Sequence, residues 1–212
     1  MKACTVIKPS YLPGDKKNKE MIENIVRVNH SGEYGAVKIY LGQIKATKHR
    51  EFFQKIFFNK NNTVELLNIL NEMYQQEIPH YQYFKQLINE LKIRPSIFLP
   101  LWSLLGFFSG YFSSLLGKSV AMTCTTGIEE VIGKHYSSQL SQLNQMLNGN
   151  NISYDNNILN NLSKNITQFM YDELEHLNTG IEYGAQSMYG HFYLNVLVKF
   201  TTKVAILVAK RF

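Results

Sequence analysis

Two Glu-x-x-His pairs, Glu77-x-x-His80 and Glu173-x-x-His176, each stand 44 positions after a lone glutamate, Glu33 and Glu129 respectively. Helical residues three apart share a face, so each pair points a carboxylate and an imidazole the same way. Four carboxylates and two imidazoles form the ligand set of a carboxylate-bridged two-metal centre in a four-helix bundle. One Glu-x-x-His alone is ordinarily solvated helix surface; two in matched register favour the metal. The repeat reaches further. Tyr40 and Gln43 follow Glu33 by seven and ten residues, and Tyr136 and Gln139 follow Glu129 at the same distances. Seven residues is nearly two turns, so each tyrosine returns to the face of its glutamate. The tyrosine hydroxyls are expected to hydrogen-bond carboxylates.

Elements able to position these residues are helical throughout, with almost no period-two alternation. Residues 1–19 contain Pro9 and Pro13-Gly14 and read as an extended arm ahead of a domain spanning 20–212. Helices are predicted over about 20–49, 63–91, 118–147, 155–187 and 191–211. The Asn-rich stretches 59–62 and 148–151 mark turns. Gly32 and Gly35 flank Glu33, each costing about 1 kcal/mol of helix propensity, which close approach of a neighbouring helix or ligand would explain. Pro79 lies inside a Glu-x-x-His pair and predicts a kink at Gln75–Gln76, with Glu77 the least regular of the six.

The segment 96–117 carries no charge and is long enough to span a bilayer, yet it includes Pro100, five serines and three glycines. Small residues at 103, 106, 110, 113 and 117 form a stripe suited to close packing. It occupies the long connection between two helix hairpins, either in one leaflet or as a buried crossover. In the last helix Lys199, Lys203 and Lys210 fall near one face, the pattern of an interfacial amphipathic helix. The fold class is therefore all-α: a ferritin-like four-helix bundle with an apolar crossover helix and a C-terminal interfacial helix.

The 212 residues suffice for one well-cored domain, and 22 basic against 16 acidic residues give a net charge of +6. No Lys/Arg run or nucleic-acid motif accompanies that charge, so an anionic membrane surface is expected rather than nucleic acid. Cys4 and Cys124 make neither a Cys-x-x-Cys pair nor a disulfide framework. Met1 to Gly14 lacks a secretory or transit pattern, so the chain is expected to remain where it is made.

The stretches Arg27-Val28-Asn29-His30-Ser31-Gly32-Glu33-Tyr34-Gly35-Ala36, Ile39-Tyr40-Leu41-Gly42-Gln43, Pro100-Leu101-Trp102, Glu129-Glu130-Val131-Ile132-Gly133-Lys134-His135-Tyr136 and Asp172-Glu173-Leu174-Glu175-His176 resemble the demethoxyubiquinone hydroxylase family of late ubiquinone biosynthesis. Asn29 stands where that family usually has Asp, and Lys134 where His is common. The resemblance implies two iron ions held by Glu33, Glu77, His80, Glu129, Glu173 and His176, with Glu77 and Glu173 bridging. It implies O2 as co-substrate and hydroxylation of a polyprenyl demethoxyubiquinol ring. His135 and Tyr136 are candidate contacts for quinol or electron donor; for His135 a satisfied or surface histidine is an equal reading. The electron donor is left unnamed, and a homo-oligomer or a ubiquinone-synthesis complex stays open. The expected location is peripheral, on the cytoplasmic face of a bacterial inner membrane. Two rivals compete. A ferritin- or rubrerythrin-like iron oxidase would want a Cys-x-x-Cys iron site or would lack the second Glu-x-x-His half. A non-enzymatic lipid-binding bundle would have lost ligands.

Overall fold

In the computed structural model, which describes residues 16–58, 64–148 and 156–211, six α-helices carry the chain, with no strand among those residues. They are α1 (Lys16–Phe58), α2 (Val64–Glu90), α3 (Leu99–Leu116), α4 (Lys118–Leu147), α5 (Asn156–Glu182) and α6 (His191–Arg211), with one 3₁₀ turn at Ala185–Ser187. Residues 1–15 of the predicted arm and the turns at 59–62 and 149–151 lie outside the described residues. The first helix begins four residues before the predicted 20 and continues nine beyond the predicted end, since no glycine or proline interrupts Arg50 to Phe58. At 43 residues it is about 65 Å long. α5 stops at Glu182 rather than 187, because the chain turns at Gly184 (φ 93°) into the 3₁₀ turn. α2 runs unbroken through Pro79.

Helices α1, α2, α4 and α5 form the bundle, and its apolar residues divide into two clusters. One joins Ile22, Val26, Phe84, Leu143, Leu162 and Ile166; the other joins Ile44, Leu66, Leu70, Met73, Ala121 and Met122. On α1, α2 and α4 the candidate ligands fall between these clusters in sequence, and on α5 they follow the first cluster and precede Ala185 of the second. Glu33 follows Val26 and precedes Ile44, for example, and Glu129 follows Met122 and precedes Leu143. A polar layer is thus closed off by dry packing above and below.

α3 lies along α1 at backbone distance. A Cβ at Gly42 would collide with the Phe107 carbonyl oxygen, and one at Gly110 with the Ile39 carbonyl oxygen. Tyr34 meets Ser103, and Thr47 meets Ser114, so the two helices run parallel. One residue, Gly117 at φ 136°, then reverses the chain into α4; L side chains rarely adopt that backbone conformation. α4 is antiparallel to α1, as the pairs Asn29–Gln139 and Gln43–Thr125 show.

Both apolar helices have exposed faces. Leu104, Leu105, Phe108, Phe112 and Leu116 face outward on α3, with Leu116 75% exposed. α6 exposes Phe192, Tyr193, Leu197, Phe200 and Leu207. Both are long and apolar enough to cross a membrane by length and composition. Monomeric soluble proteins rarely expose apolar patches of this extent. The outward face of α3 therefore differs from a wholly buried crossover, while its glycine face is sealed against α1.

Candidate metal centre

Each candidate ligand is carried inward by the helix predicted for it. Glu33, Glu77, His80, Glu129, Glu173 and His176 are all at most 5% exposed. They form two groups, Glu33–Glu77–His80–Glu173 and Glu77–Glu129–Glu173–His176, in each of which one ligand atom per residue lies within 4.8 Å of the others. Glu77 and Glu173 belong to both groups, the placement expected of carboxylates shared between two cations.

The imidazoles are aimed by their far nitrogens. His80 Nε2 donates to Asp172 Oδ2 at 3.0 Å, and His176 Nε2 donates to Gln76 Oε1 at 2.8 Å. That leaves Nδ1 of each ring facing carboxylates: His80 Nδ1 is 3.5 Å from Glu173 and 3.6 Å from Glu33, and His176 Nδ1 is 3.1 Å from Glu77. A histidine whose other nitrogen is committed this way presents a fixed face to a metal. Sequence reasoning missed Asp172 and Gln76. Their signal was there: each directly precedes the glutamate of the opposite half's Glu-x-x-His.

The two tyrosines are buried, and each reaches the glutamate of the other half. Tyr40 donates to Glu129 Oε1 at 2.7 Å, and Tyr136 donates to Glu33 Oε1. Tyr40 and Tyr136 lie about 10 Å along their helices from Glu33 and Glu129, whereas the antiparallel neighbour brings the opposite glutamate level with each hydroxyl. His135 does not meet a carboxylate; its Nε2 lies 2.7 Å from Gln139 Nε2, whose amide also pairs with Asn29. Burial, with help from Lys210, lowers the His135 pKa to about 4, so the ring is neutral at neutral pH.

The donor set fits cations. Glu33 Oε2, both oxygens of Glu77, Glu173 Oε2 and Nδ1 of His80 and His176 are buried with no hydrogen-bond partner. Orphaned buried charge is costly unless paired with an ion or neutralised by protons. The protein alone shows the second outcome. Burial and repulsion from Glu173 push Glu77 up to about 8. Burial, Glu173 and Glu77 push Glu129 upward too. Burial disfavours protonated imidazole, yet the facing carboxylates of Glu173 and Glu33 outweigh it and raise His80 to about 12. His176 is raised to about 11 in the same way by Glu173 and Glu77. Glu173, buried but lying between both imidazoles, is held at about 2. Protons occupy positions that a metal would take over on binding.

Beside this layer lies an apolar cavity of about 370 Å³, a size within the range of small-molecule pockets. Glu33, Glu129 and Glu173 reach it from the polar layer, while α3 and α6 supply Trp102, Leu105, Val198 and Ile206.

Comparisons with known proteins agree with this arrangement. Residues 20–209 match the family model described as ubiquinone biosynthesis protein COQ7. A Dictyostelium discoideum protein named NADPH-dependent 3-demethoxyubiquinone 3-hydroxylase, mitochondrial, is 38% identical over 202 residues, covering 95% of this chain and 82% of the relative. The 3-demethoxyubiquinol 3-hydroxylase of Rhodospirillum rubrum is 33% identical over 200 residues, covering 94% and 82%. The human NADPH-dependent 3-demethoxyubiquinone 3-hydroxylase, mitochondrial, is 30% identical over 197 residues, covering 93% and 81%. With nearly its whole length matched and two interlocked Glu-x-x-His halves at its centre, this chain belongs to the COQ7 family of ubiquinone biosynthesis proteins.

Proposed function

We propose that this chain is an O2-dependent 3-demethoxyubiquinol 3-hydroxylase of ubiquinone biosynthesis, acting through two iron ions. The observation that carries the reading is the meeting of the buried Glu/His layer with an apolar cavity that three of its carboxylates reach. Family membership and the names of the relatives support the substrate. The reaction replaces a ring C–H by C–OH, takes one oxygen atom from O2, and releases the other as water at the cost of two electrons and two protons.

Glu77 and Glu173 would be shared between the two metals, Glu33 and Glu129 would serve one each, and His80 and His176 would each supply Nδ1. Mixed carboxylate and imidazole donors suit iron. When bound, such a pair supplies the electrons and the oxygen activation that no side chain here provides. The chain's own residues do the rest. Tyr40 fixes one oxygen of Glu129, and Tyr136 fixes one oxygen of Glu33 and leaves its other unpartnered. Asp172 and Gln76 hold the imidazoles in one tautomer. The apolar clusters on either side exclude water from the layer.

A polyprenyl quinol resides in lipid, and the cavity's outer walls are the two helices with exposed apolar faces. We place the protein on the membrane surface with α3 and α6 in one leaflet, on the cytoplasmic face of a bacterial inner membrane. The exposed leucines and phenylalanines of both helices and the bacterial relative support this.

The test is iron-loaded protein given a short-tailed demethoxyquinol, a reductant and ¹⁸O2. One ¹⁸O atom should enter the ring, and Glu129→Ala and His176→Ala should abolish turnover. Full activity in either variant would refute the di-iron assignment.

A further inference from the structure

The cavity wall is apolar almost throughout, so its few polar atoms decide how a ring can sit. Trp102 lines it, and its indole Nε1–H is buried without a hydrogen-bond partner. A buried donor left unpaired costs about 1–3 kcal/mol, and such groups in native proteins ask for an explanation. The wall hydroxyls are in the opposite condition. Ser31 donates to the Arg27 carbonyl, Ser109 to Gly106, and Thr201 and Thr202 to Val198. Each has spent its single proton on its own helix and offers only lone pairs to the cavity.

Trp102 also stands at the right height. α3 runs parallel to α1 with Ser103 beside Tyr34 and Gly106 against Gly35, which sets Trp102 level with Gly32 and Glu33. The donor is therefore on the cavity wall at the level of the carboxylate layer.

We propose that Trp102 is the positioning donor of the cavity, its indole N–H hydrogen-bonding a ring oxygen of the bound quinol while the spent hydroxyls accept from the ring O–H groups. This rests on the hydroxylase reading given above. A reduced ring carries both O–H donors and acceptor oxygens, so it satisfies one indole donor and several lone-pair groups together. An oxidised ring carries acceptors alone and leaves the hydroxyl lone pairs unmatched. The wall thus favours the reduced ring.

Trp102 is the chain's single tryptophan, so its spectroscopic signals report one site. Zinc-loaded protein, which binds without turnover, is mixed with a short-tailed demethoxyquinol, and the indole N–H marker band is followed by ultraviolet resonance Raman beside equilibrium dialysis. The band should move to its hydrogen-bonded position as quinol binds. Trp102→Phe should keep full metal content and lose about three- to tenfold in quinol affinity, the worth of one hydrogen bond. The wild type should bind quinol more tightly than quinone. Quinol binding with an unmoved band, or unchanged affinity in Trp102→Phe, overturns the role of Trp102 and leaves the hydroxylase reading standing. Failure of the zinc-loaded protein to bind quinol at all would overturn the quinol pocket itself, and the role of Trp102 with it.

Discussion

The Tyr40 hydroxyl donates to Glu129 Oε1 at 2.7 Å, crossing from the first hairpin to the glutamate of the second, and Tyr136 returns the contact to Glu33. Two residue types that recur at equal spacing within each half therefore act between halves. Hydrogen bonds to a carboxylate contribute about 1.5–3 kcal/mol, so these two contacts fix where the terminal glutamates stand.

Tyr40→Phe should retain two metals per chain yet release Glu129 to rotate. About tenfold lower turnover is expected, with a changed Mössbauer signature in the iron-loaded protein. Tyr136→Phe should do the same through Glu33. Unaltered spectra in both variants would show that the glutamates need no such support.

Asp172→Ala removes the acceptor that holds His80, and Gln76→Ala removes the one that holds His176. Loss of such outer partners typically weakens metal affinity by 10–100-fold, roughly. Asp172→Asn keeps an acceptor oxygen and should lose far less. Metal competition titrations check the order.

The glycine contact between α1 and α3 leaves no room for a methyl group. Gly110→Ala should destabilise the protein by about 1–3 kcal/mol as the helices are forced apart. At Gly133, a Cβ would meet nothing within 4 Å, so Gly133→Ala should be neutral or stabilise by up to about 1 kcal/mol. Thermal denaturation of the two variants should move in opposite directions or differ clearly in size.

Burial, reinforced by the positive charge of Lys85, lowers the pKa of His30 to about 4. The unfolded chain binds this proton near pH 6.5, so below that value it holds more protons than the folded chain. Stability should fall as pH drops from about 6.5 to about 4 and the contribution should flatten below that, to a total of at most about 3 kcal/mol. Urea denaturation of the wild type and His30→Gln across this window should show the smaller slope in the variant.

Membrane attachment through α3 and α6 predicts that the wild type floats with anionic vesicles. Phe108→Ser combined with Phe200→Ser, at two exposed positions, should weaken that attachment by about tenfold or more, at about 25 cal/mol per Å² of apolar area. Solution activity toward a short-tailed quinol should survive. A wild type that stays with the soluble fraction would refute the surface placement.

What was legible in the sequence was whatever repeats locally. The Glu-x-x-His pairs and their glutamates follow from helix periodicity, and the helix limits at Lys118 and His191 were set by nearby breakers. Contacts between halves were not legible. The swap of Tyr40 and Tyr136 depends on α1 and α4 lying antiparallel, which no spacing within one helix states. Asp172 and Gln76 each adjoin a glutamate on their own helix, and only the packing of the two halves brings them to the far histidine. α1 ran past His49 because polarity alone does not end a helix. Pro79 leaves α2 unbroken.

Each group of metal-binding side chains takes three members from one hairpin and its fourth from the other. A chain that has left the ribosome only through α2 therefore owns three donors and no complete nest for an ion. Dividing each nest across the two hairpins means that neither is complete until the second hairpin has docked against the first.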